Sequence, residues 1–538
     1  MASCFREARA YERASLNVCA AQAEWLLRMV REERDTWFGR AHGFTSIRSV
    51  REFQNAVPLS NYDDYRSAIE WIGDGKSNVL TRERVRFLEC TGGSTSGEKL
   101  IPYTNALRAN FQRAIRVWIW DLFSRRPGAR AGRAYWSITP LVQPNRRTNG
   151  GIPIGFDHDA SYLSRVEQCL VARTMAIPPG IAECSSVMAA QYATLVFLLR
   201  ASDLSLISVW SPTFLTELLK LLWERRWALC DDLAAGRMSV ELSIERRSLF
   251  QRQYRPLPER AAFLRRTFEN AESISQCVSA IWPALALVSC WADGPSFAYA
   301  NSLRSYLPGI EIQPKGLLAT EAFVTFPLLT EPASALAIRS HFYEFQPVDS
   351  VADESHPLLA HELELGRRYS VVVTNGGGLY RYRLFDEVEV AGFRAQVPLL
   401  RFLGKTDDVS DLVGEKLHAA QIQTVLQAAI RDLSLTPTFM LLRAERSPRA
   451  HYRLRIAEAS LAANPTTLVQ LQSLVEQGLN SNPAYRYARE LGQLGPIEIE
   501  LLDQVHAEQD VAGQIADSVR AGRRLGVIKP GVLVRHKS

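Results

Sequence analysis

The sequence predicts an α/β protein with a large N-terminal domain and a smaller α+β C-terminal domain. The chain has 538 residues, too many for one hydrophobic core. Segment 188–235 alternates helical and strand-like apolar runs around a break at 208–212, which is typical of α/β layering. Short strand-like runs between 366 and 404 predict a small β-barrel or sheet attached to the main body.

Helical patterns dominate the first half of the chain. Residues 4–40 show helical periodicity, and Ser60 or Asn61 can cap a helix whose first turn is acidic. A tryptophan-rich helix follows at 111–120. Buried strands are expected further on, at 284–291 and 310–312.

The second half of the chain begins with the β-region. Strands are predicted over 369–374, 379–383 and 387–390, with a turn at Gly376-Gly377-Gly378 after the first. A charged loop at 404–408 precedes a region of mixed structure. Helices are predicted there over 417–432 and 465–480, and a hairpin is predicted between strands at 439–443 and 452–456. These patterns predict a large domain over 1–405 and a small one over 406–538.

The composition excludes several classes of protein. Hydrophobic residues make up 47% and charged residues 22% of the chain, as in ordinary globular proteins. The net charge of +6 is spread along the sequence, so no nucleic-acid partner is expected. Eight cysteines and nine histidines are scattered without ligand spacing, which favours reduced thiols over disulfides or a zinc site.

The N-terminus lacks the apolar core of a signal peptide. The longest apolar runs, 192–199 and 281–291, are too short to span a bilayer. The sequence therefore predicts a cytoplasmic protein without a membrane partner.

A loop rich in glycine and hydroxyl residues is the strongest functional signal. Thr91-Gly92-Gly93-Ser94-Thr95-Ser96-Gly97-Glu98-Lys99 follows a strand-like run. Glycines let backbone N–H groups approach a phosphate chain closely, and hydroxyls add short donors. The loop is not a Walker A motif, because Leu100 stands where Ser or Thr should hold Mg²⁺. The alternative is a plain turn.

Four further patches carry candidate chemistry, each with a plainer alternative. Glu321 is the one acid within the apolar run 316–323, so it is either paired in the core or bound to a cation. Asp386 ends a strand and could accept ribose hydroxyls, or simply open a turn. Segment 404–416 is a charged hinge or a linker. Lys529 is a functional or a solvated lysine.

In their order, these patches resemble the acyl-adenylate-forming superfamily, and within it the plant auxin-responsive acyl acid–amido synthetases and their bacterial relatives. The resemblance extends from about residue 10 to residue 533. The stretches that carry it are 57–62 with 72–75, 206–214, 288–291, 342–349 and 371–386. It implies a luciferase-like architecture, in which the C-terminal domain is a mobile lid.

The resemblance also implies a role for each patch. Thr91, Gly92 and Ser94, with Gly93 and Thr95 in the same loop, match the positions that hold the phosphates of ATP. Glu321, with Thr320 beside it, matches the acid that works with Mg²⁺, and Asp386 matches the ribose-binding acid. Lys416 matches the lysine that follows the hinge at Asp407-Asp408 and reaches the nucleotide. Lys529 matches the mobile catalytic lysine of the lid.

The chain departs from the family pattern at three places. Phe385 stands where the family usually has a glycine before the ribose-binding acid. Lys529 is followed at once by Pro530 and then Gly531 rather than by a small residue, Pro and Arg. The position of an arginine that binds the substrate carboxylate in some plant members falls at Trp118, with Arg116 as a neighbour. The acyl acid can therefore differ from the plant hormones.

The function implied is an ATP- and Mg²⁺-dependent amido synthetase. Such an enzyme adenylates a small carboxylic acid and transfers the acyl group to an amino acid or another amine. An acyl-CoA ligase of the same superfamily, or an inactive relative that only binds ligands, is the alternative. A monomer or weak homodimer is expected.

Overall fold

The helices and strands come from a computed structural model. It describes residues 1–92, 98–136, 146–155, 174–178, 181, 184, 186–240, 254–348, 357–405, 409–413, 415–446, 449–462, 464–520 and 531–534. Across these ranges, no helix combines the length and the apolar character needed to cross a lipid bilayer. All seven cysteines within them are free thiols, as the sequence predicts.

The helices of the described residues occupy both halves of the chain. In chain order they are α1 (Ala2–Ala14), α2 (Val18–Glu32), α3 (Trp37–Ala41), α4 (Val50–Ala56), α5 (Tyr62–Gly73), α6 (Asn105–Arg125), α7 (Val187–Arg200), α8 (Pro212–Ala235), α9 (Pro258–Glu269), α10 (Ile274–Ile281), α11 (Phe297–Tyr306), α12 (Ala419–Asp432), α13 (Ala459–Ala462), α14 (Pro465–Leu479), α15 (Pro483–Glu490) and α16 (Gln504–Arg520). The predicted cap of α5 is confirmed: Asn61 accepts from the backbone, and Asp64 accepts from the backbone N–H of Asn61 in return.

The strands begin after α5. In chain order they are β1 (Phe87–Gly92), β2 (Glu98–Tyr103), β3 (Arg133–Trp136), β4 (Arg146–Arg147), β5 (Pro153–Ile154), β6 (Leu204–Ser208), β7 (Leu287–Cys290), β8 (Glu311–Pro314), β9 (Thr325–Phe326), β10 (Ser334–Leu336), β11 (Phe342–Pro347), β12 (Leu358–Leu359), β13 (Arg368–Thr374), β14 (Tyr382–Arg394), β15 (Val397–Lys405), β16 (Val409–Ser410), β17 (Leu417–His418), β18 (Phe439–Glu445), β19 (His451–Ala457), β20 (Glu498–Leu501) and β21 (Leu533–Val534).

A parallel sheet of order β3-β6-β7-β8 forms the α/β part of the molecule. Its two faces belong to two different cores. Leu206 and Leu287 pack into the core that contains α6, whereas Ile207 and Val288 pack into the core formed with α7 to α10. Successive residues of a strand point to opposite faces, so the alternating cores follow from the strand geometry.

The β-region of the sequence is a seven-stranded antiparallel sheet of order β12-β11-β13-β14-β15-β10-β9. Of the two predicted alternatives, it is the sheet, because the described edge strands β12 and β9 do not pair with each other. One prediction here is wrong. Segments 379–383 and 387–390 are not two strands, since β14 runs without interruption over Tyr382–Arg394.

The C-terminal segment has its own sheet, of order β20-β19-β18-β21. The hairpin β18–β19 confirms the predicted pair of strands. Most of its core lies between residues 417 and 533, and Ala298 of α11 joins it from the larger part of the chain. Tyr299, also on α11, packs with Phe439 and Leu441 of β18. The boundary between residues 405 and 406 stays a prediction.

Candidate active site

Asp386 lies in a β-bulge of β14. Three residues of β14, Leu384 to Asp386, stand opposite Val371 of β13, since pairing passes from Ser370 to Val372 across them. Phe385 within the bulge has a φ of +59°, a left-handed conformation that glycine adopts with least strain. The bulge therefore gives a physical reason for a glycine at this position, where this chain has phenylalanine. The Asp386 side chain is buried.

Lys405 is the direct partner of Asp386. It ends β15 and is paired with Asp386 across the two strands. Its Nζ lies 3.0 Å from Oδ1 of Asp386 and donates to the carbonyl oxygen of Leu384. About half of the lysine side chain, 47%, remains exposed. The sequence analysis placed Lys405 in a charged hinge, whereas the structure places it at the end of a strand.

Glu321 lies in the connection between β8 and β9, half-buried. Its backbone carbonyl accepts a hydrogen bond of 2.7 Å from Nδ2 of Asn375. Burial raises the pKa of the Glu321 carboxyl above its ordinary value. The ammonium groups of Lys405 and Lys99 oppose this rise in pKa, and the Asp386 carboxylate adds to it. The structure therefore brings Glu321, Asp386, Lys405 and Lys99 into one electrostatic neighbourhood.

The glycine turn after β13 supports this neighbourhood. Oδ1 of Asn375 accepts from the backbone N–H groups of Gly377 and Leu379, which leaves its Nδ2 for Glu321. The turn is packed closely: a Cβ at Gly376 would lie 2.6 Å from Oδ1 of Asn110. Gly378 has a φ of +92°, and a Cβ there would lie 2.6 Å from a side-chain carbon of Leu80. The predicted turn is thus a fixed support for the Glu321 loop.

The glycine loop joins β1 to β2 as a hairpin. Thr91 is paired with Lys99, and Gly92 is paired with Glu98, which is the last described pair of the hairpin. Gly93, Ser94 and Thr95 lie outside the described residues, and of Thr91 and Gly92 only the backbone is described. Nζ of Lys99 lies 5.9 Å from the centre of the Tyr62 ring, and its positive charge slightly lowers the pKa of the Glu321 carboxyl.

Trp118 and Arg116, the predicted substrate residues, point in different directions from α6. They are two residues apart, roughly 200° around the helix axis. Trp118 is buried, and its Nε1 donates to Oε1 of Gln313 at 3.1 Å. Arg116 is half-buried and contacts Gln112 on its own helix. Trp118 therefore faces the parallel sheet, and Arg116 does not.

The sequence analysis overlooked Lys315, directly after β8. Its side chain is buried, and its Nζ donates to Oγ of Ser208 at 2.7 Å. The same Nζ lies 5.3 Å from the centre of the Trp118 ring and 5.0 Å from that of Trp210. A lone lysine in sequence gives no such signal, because only the fold brings the two rings around it.

The remaining predicted residues are more dispersed. Thr320 is half-buried beside Glu321. Lys416 is exposed, with a φ of +45°, and follows Glu415, whose buried carboxylate accepts from the backbone N–H groups of Leu412 and Val413. None of the contacts in the described ranges joins Lys416 to Glu321. Lys529, Asp407 and Asp408 lie outside the described residues.

No group of three or more His, Cys, Asp or Glu side chains within the described ranges is arranged to hold a metal ion. Mg²⁺ in nucleotide sites is commonly held by one or two carboxylates and completed by phosphate oxygens and water. Glu321 beside Asp386 fits that pattern, because a divalent cation would favour the ionised form that burial of Glu321 disfavours.

Comparisons with known proteins identify the family of this chain. The model of the GH3 family N-terminal domain matches residues 7–312, and that of the GH3 family central domain matches residues 334–405. The chain belongs to the GH3 family. Two similar relatives are the indole-3-acetic acid-amido synthetase GH3.3 of Arabidopsis thaliana and the probable indole-3-acetic acid-amido synthetase GH3.1 of Oryza sativa subsp. japonica. The first is 22% identical over 92% of this chain and 86% of the relative, the second 24% identical over 90% and 83%.

The fold of this GH3 protein is that of a solved family member. A structure of the AtGH3.15 acyl acid amido synthetase in complex with 2,4-DB aligns with a TM-score of 0.85 at 19% identity, covering 99% of this chain and 93% of that one. The predictions of the family, of the fold class and of an amide-forming ligase are confirmed.

Proposed function

We propose that this GH3 protein uses ATP to activate a small carboxylic acid and transfers the acyl group to an amino acid or another amine. The proposal rests on one group of charged residues. Asp386 pairs with Lys405, and the charges of Asp386, Lys405 and Lys99 act on the Glu321 carboxyl. Lys99 is itself paired with Thr91 of the glycine loop. The acids Glu321 and Asp386 with Lys405, together with a glycine-rich hairpin that carries Lys99, suit a nucleotide with its phosphates and cation.

Asp386 is the proposed ribose site. A carboxylate accepts strong hydrogen bonds from hydroxyl donors, and Nζ of Lys405 lies 3.0 Å from Oδ1 of Asp386. The bulge that contains Phe385 and Asp386 interrupts the pairing of β14 with β13 at this point. The similarity to amido synthetases supports an acid–amino acid ligase, and ATP enters as the reagent that such a ligase needs.

Glu321 is the residue proposed to hold Mg²⁺. When bound, the cation supplies positive charge that offsets the charge on the phosphate oxygens. Lys99 lies at the end of the hairpin that carries the glycine loop, and its ammonium would add a further charge there. Gly93, Ser94 and Thr95 would donate to the phosphates, in keeping with their predicted role.

The reaction takes two steps. In the first, a carboxylate oxygen of the acid attacks the α-phosphorus of ATP, the bond to the β-phosphate oxygen breaks, and pyrophosphate leaves with that electron pair. In the second, the neutral amine attacks the carbonyl carbon, AMP leaves, and the amine nitrogen loses a proton. Lys529 and Lys416 are proposed to serve these steps from the C-terminal segment, which would move as a lid. The cytoplasmic location and the monomeric or weakly dimeric state of the protein stay predictions.

Exchange of labelled pyrophosphate into ATP tests the first step, with a panel of aliphatic and aromatic acids. At least one acid should support exchange in the presence of Mg²⁺, and EDTA should abolish it. The second step is tested by AMP release after adding amino acids or CoA. Release with amino acids and not with CoA is the expected result. Discharge by CoA alone would favour an acyl-CoA ligase, and absence of exchange with every acid would favour the inactive relative.

A further inference from the structure

Glu415, directly before Lys416, is a buried acid at the end of a short loop. The loop joins β16 to β17, two strands that pair antiparallel. One carboxylate oxygen of Glu415 accepts from the backbone N–H of Leu412 and the other from that of Val413, both at 2.8 Å. Glu415 is 0% exposed. A buried carboxylate needs such donors, so the acid and the loop hold each other in place.

Tyr452 connects this carboxylate to β19 of the C-terminal sheet. Its phenol donates to Oε1 of Glu415, and the phenol oxygen lies 2.9 Å from Oγ of Ser410 on β16. Tyr452 is itself buried, and burial raises the pKa of its phenol. The phenol therefore stays protonated and keeps its donor. Through this contact the loop is fixed to the sheet of the C-terminal segment.

Asn482 connects the same loop to a helix. It is the N-cap of α15, where its Oδ1 accepts from two backbone N–H groups of the first turn. Its Nδ2 donates to the backbone carbonyl oxygens of Glu415 and Lys416, each 3.3 Å away, and also lies 3.2 Å from Oε1 of Gln421. The amide oxygen therefore caps the helix, and the amide nitrogen holds the backbone at Lys416.

The backbone conformation of Lys416 needs this support. Its φ is +45°, a left-handed value that is unfavourable for a residue with a side chain. Such conformations persist where the surrounding contacts fix them, and they are concentrated at functional sites. Lys416 is exposed, whereas Glu415 and Leu417 on either side of it are 0% exposed. The two buried neighbours anchor the backbone and leave the lysine in solvent.

We propose that Glu415 and Asn482 are positioning residues, which hold the backbone at Lys416 so that the C-terminal segment presents its ammonium group at a fixed place. This inference rests on the proposed function, in which Lys416 serves the reaction from that segment. Because the stem of a lysine is flexible, the place of its ammonium group is defined only if the backbone is fixed. A displacement of about 1 Å can slow catalysis strongly, so a loosened loop should cost rate.

The main test variant is Asn482→Asp. The carboxylate still caps α15, but an oxygen that repels the two backbone carbonyls replaces the donating nitrogen. Asn464→Asp is the matched control, because Asn464 caps α14 through Oδ1 and its contacts within the described residues do not involve this loop. Both variants should change the melting temperature little. Asn482→Asp should slow, by about tenfold, the same step that Lys416→Met slows, and the control should slow neither pyrophosphate exchange nor AMP release.

The same substitution in the Lys416→Met background separates positioning from a purely structural role. If Asn482 acts through Lys416, the double variant should be no slower than Lys416→Met alone. Glu415→Gln, which places an N–H₂ group where a backbone N–H needs an acceptor, should show the same pattern. Additive rate losses in a folded double variant would overturn the inference, and so would normal rates of both steps in Asn482→Asp or in Lys416→Met.

Trypsin gives a readout that does not depend on activity. Cleavage after Lys416 requires local opening, because Leu417 on the other side of the bond is buried. Asn482→Asp should speed this cleavage about fivefold through the lost hydrogen bonds, as measured by mass spectrometry of the fragments, and Asn464→Asp should not. Equal cleavage in both variants would overturn the inference. Faster cleavage in Asn482→Asp, with no exchange by the wild type for any acid, would support the fixed loop and contradict the proposed function.

Discussion

Two ion pairs near the start of β14, one directly before the strand and one within it, differ in one respect. Arg381 pairs with Glu344 of β11, and both side chains are only 1% exposed. Asp386 pairs with Lys405 of β15, whose side chain is 47% exposed. Both pairs lie next to or at a residue with positive φ, Arg381 itself and Phe385. The backbone is therefore left-handed directly before β14 and again within it, but only the second pair includes a half-exposed side chain.

The first pair has its hydrogen bonds inside the protein. The Arg381 guanidinium also donates to the backbone carbonyls of Gln54 and Val57, and Gln54 donates to the Glu344 carboxylate. A guanidinium whose contacts are all within the protein holds neighbouring segments together and is not placed to bind a ligand. A lysine that stays half in water can exchange its partner for a ligand at little cost. An ion pair alone therefore does not mark a candidate site. What distinguishes Asp386 from Glu344 is that the side chain paired with it is exposed to solvent.

The largest effect is expected at the buried pair. Arg381→Met leaves the Glu344 carboxylate buried without its cation, which should lower the free energy of unfolding by about 3–5 kcal/mol. Urea denaturation measures it. Activity per folded molecule should stay near the wild-type value. The double variant Arg381→Met with Glu344→Leu should recover part of the loss; equal stability of the single variant and the wild type would contradict the structural role.

Next in size is the effect of Glu321→Gln. The change is nearly isosteric and removes the carboxylate proposed for Mg²⁺, so kcat for adenylation should fall by about a hundredfold or more. Pyrophosphate exchange at saturating Mg²⁺ and ATP measures this fall. The melting temperature should change little. A large loss of stability with normal exchange would place Glu321 with Glu344 as a structural acid.

Asp386→Asn should act mainly on nucleotide binding. The amide accepts weaker hydrogen bonds than the carboxylate, and a loss of about 1.5 kcal/mol corresponds to roughly a tenfold higher KM for ATP. Lys405→Met serves as the companion variant, since it leaves the carboxylate in place. If the KM for ATP stays unchanged in Asp386→Asn, the ribose assignment is wrong.

Replacing Phe385 should have a small effect. A left-handed conformation costs a non-glycine residue about 1–2 kcal/mol, while glycine costs more entropy on folding and gives up the contacts of the half-buried ring. These terms oppose each other, so Phe385→Gly should change the free energy of unfolding by less than about 1 kcal/mol. Denaturation and the KM for ATP measure the result. A large rise in exchange activity would show that Phe385 impairs the site.

The smallest expected effect is a pH dependence at Glu321. Its pKa is raised by burial, so the folded protein binds this proton more tightly than the unfolded chain. The stabilisation is present at pH values below the ordinary pKa of a glutamate and is lost as the pH rises through the raised pKa. The stability of the wild type relative to Glu321→Gln should therefore fall over that interval. Parallel denaturation curves at each pH measure the difference, and a constant difference would contradict the shift.

Much of the fold could be predicted from local patterns. The cap of α5 needs only Asn61 and Asp64 at the right spacing, and β7 and β8 follow from apolar runs. β14 was divided incorrectly because its bulge at 384–386 interrupts the alternation that marks a strand. A bulge is set by pairing with β13, which a local pattern does not contain.

The candidate site could be predicted in part. Glu321 and Asp386 were found through a family resemblance, and the structure brings them together. Lys315, Lys405 and Asn375 were overlooked as site residues because each gains its role from a distant partner. Ser208 for Lys315, Asp386 for Lys405 and Glu321 for Asn375 are neighbours only in the folded chain.

The glycine turn has a consequence for anyone who wishes to redesign this enzyme. A methyl group added at Gly376 or Gly378 would lie 2.6 Å from a neighbouring side-chain atom, so any larger residue at these positions requires the surrounding structure to shift. Sequence diversity should be placed outside this turn, which should be kept as a constant region.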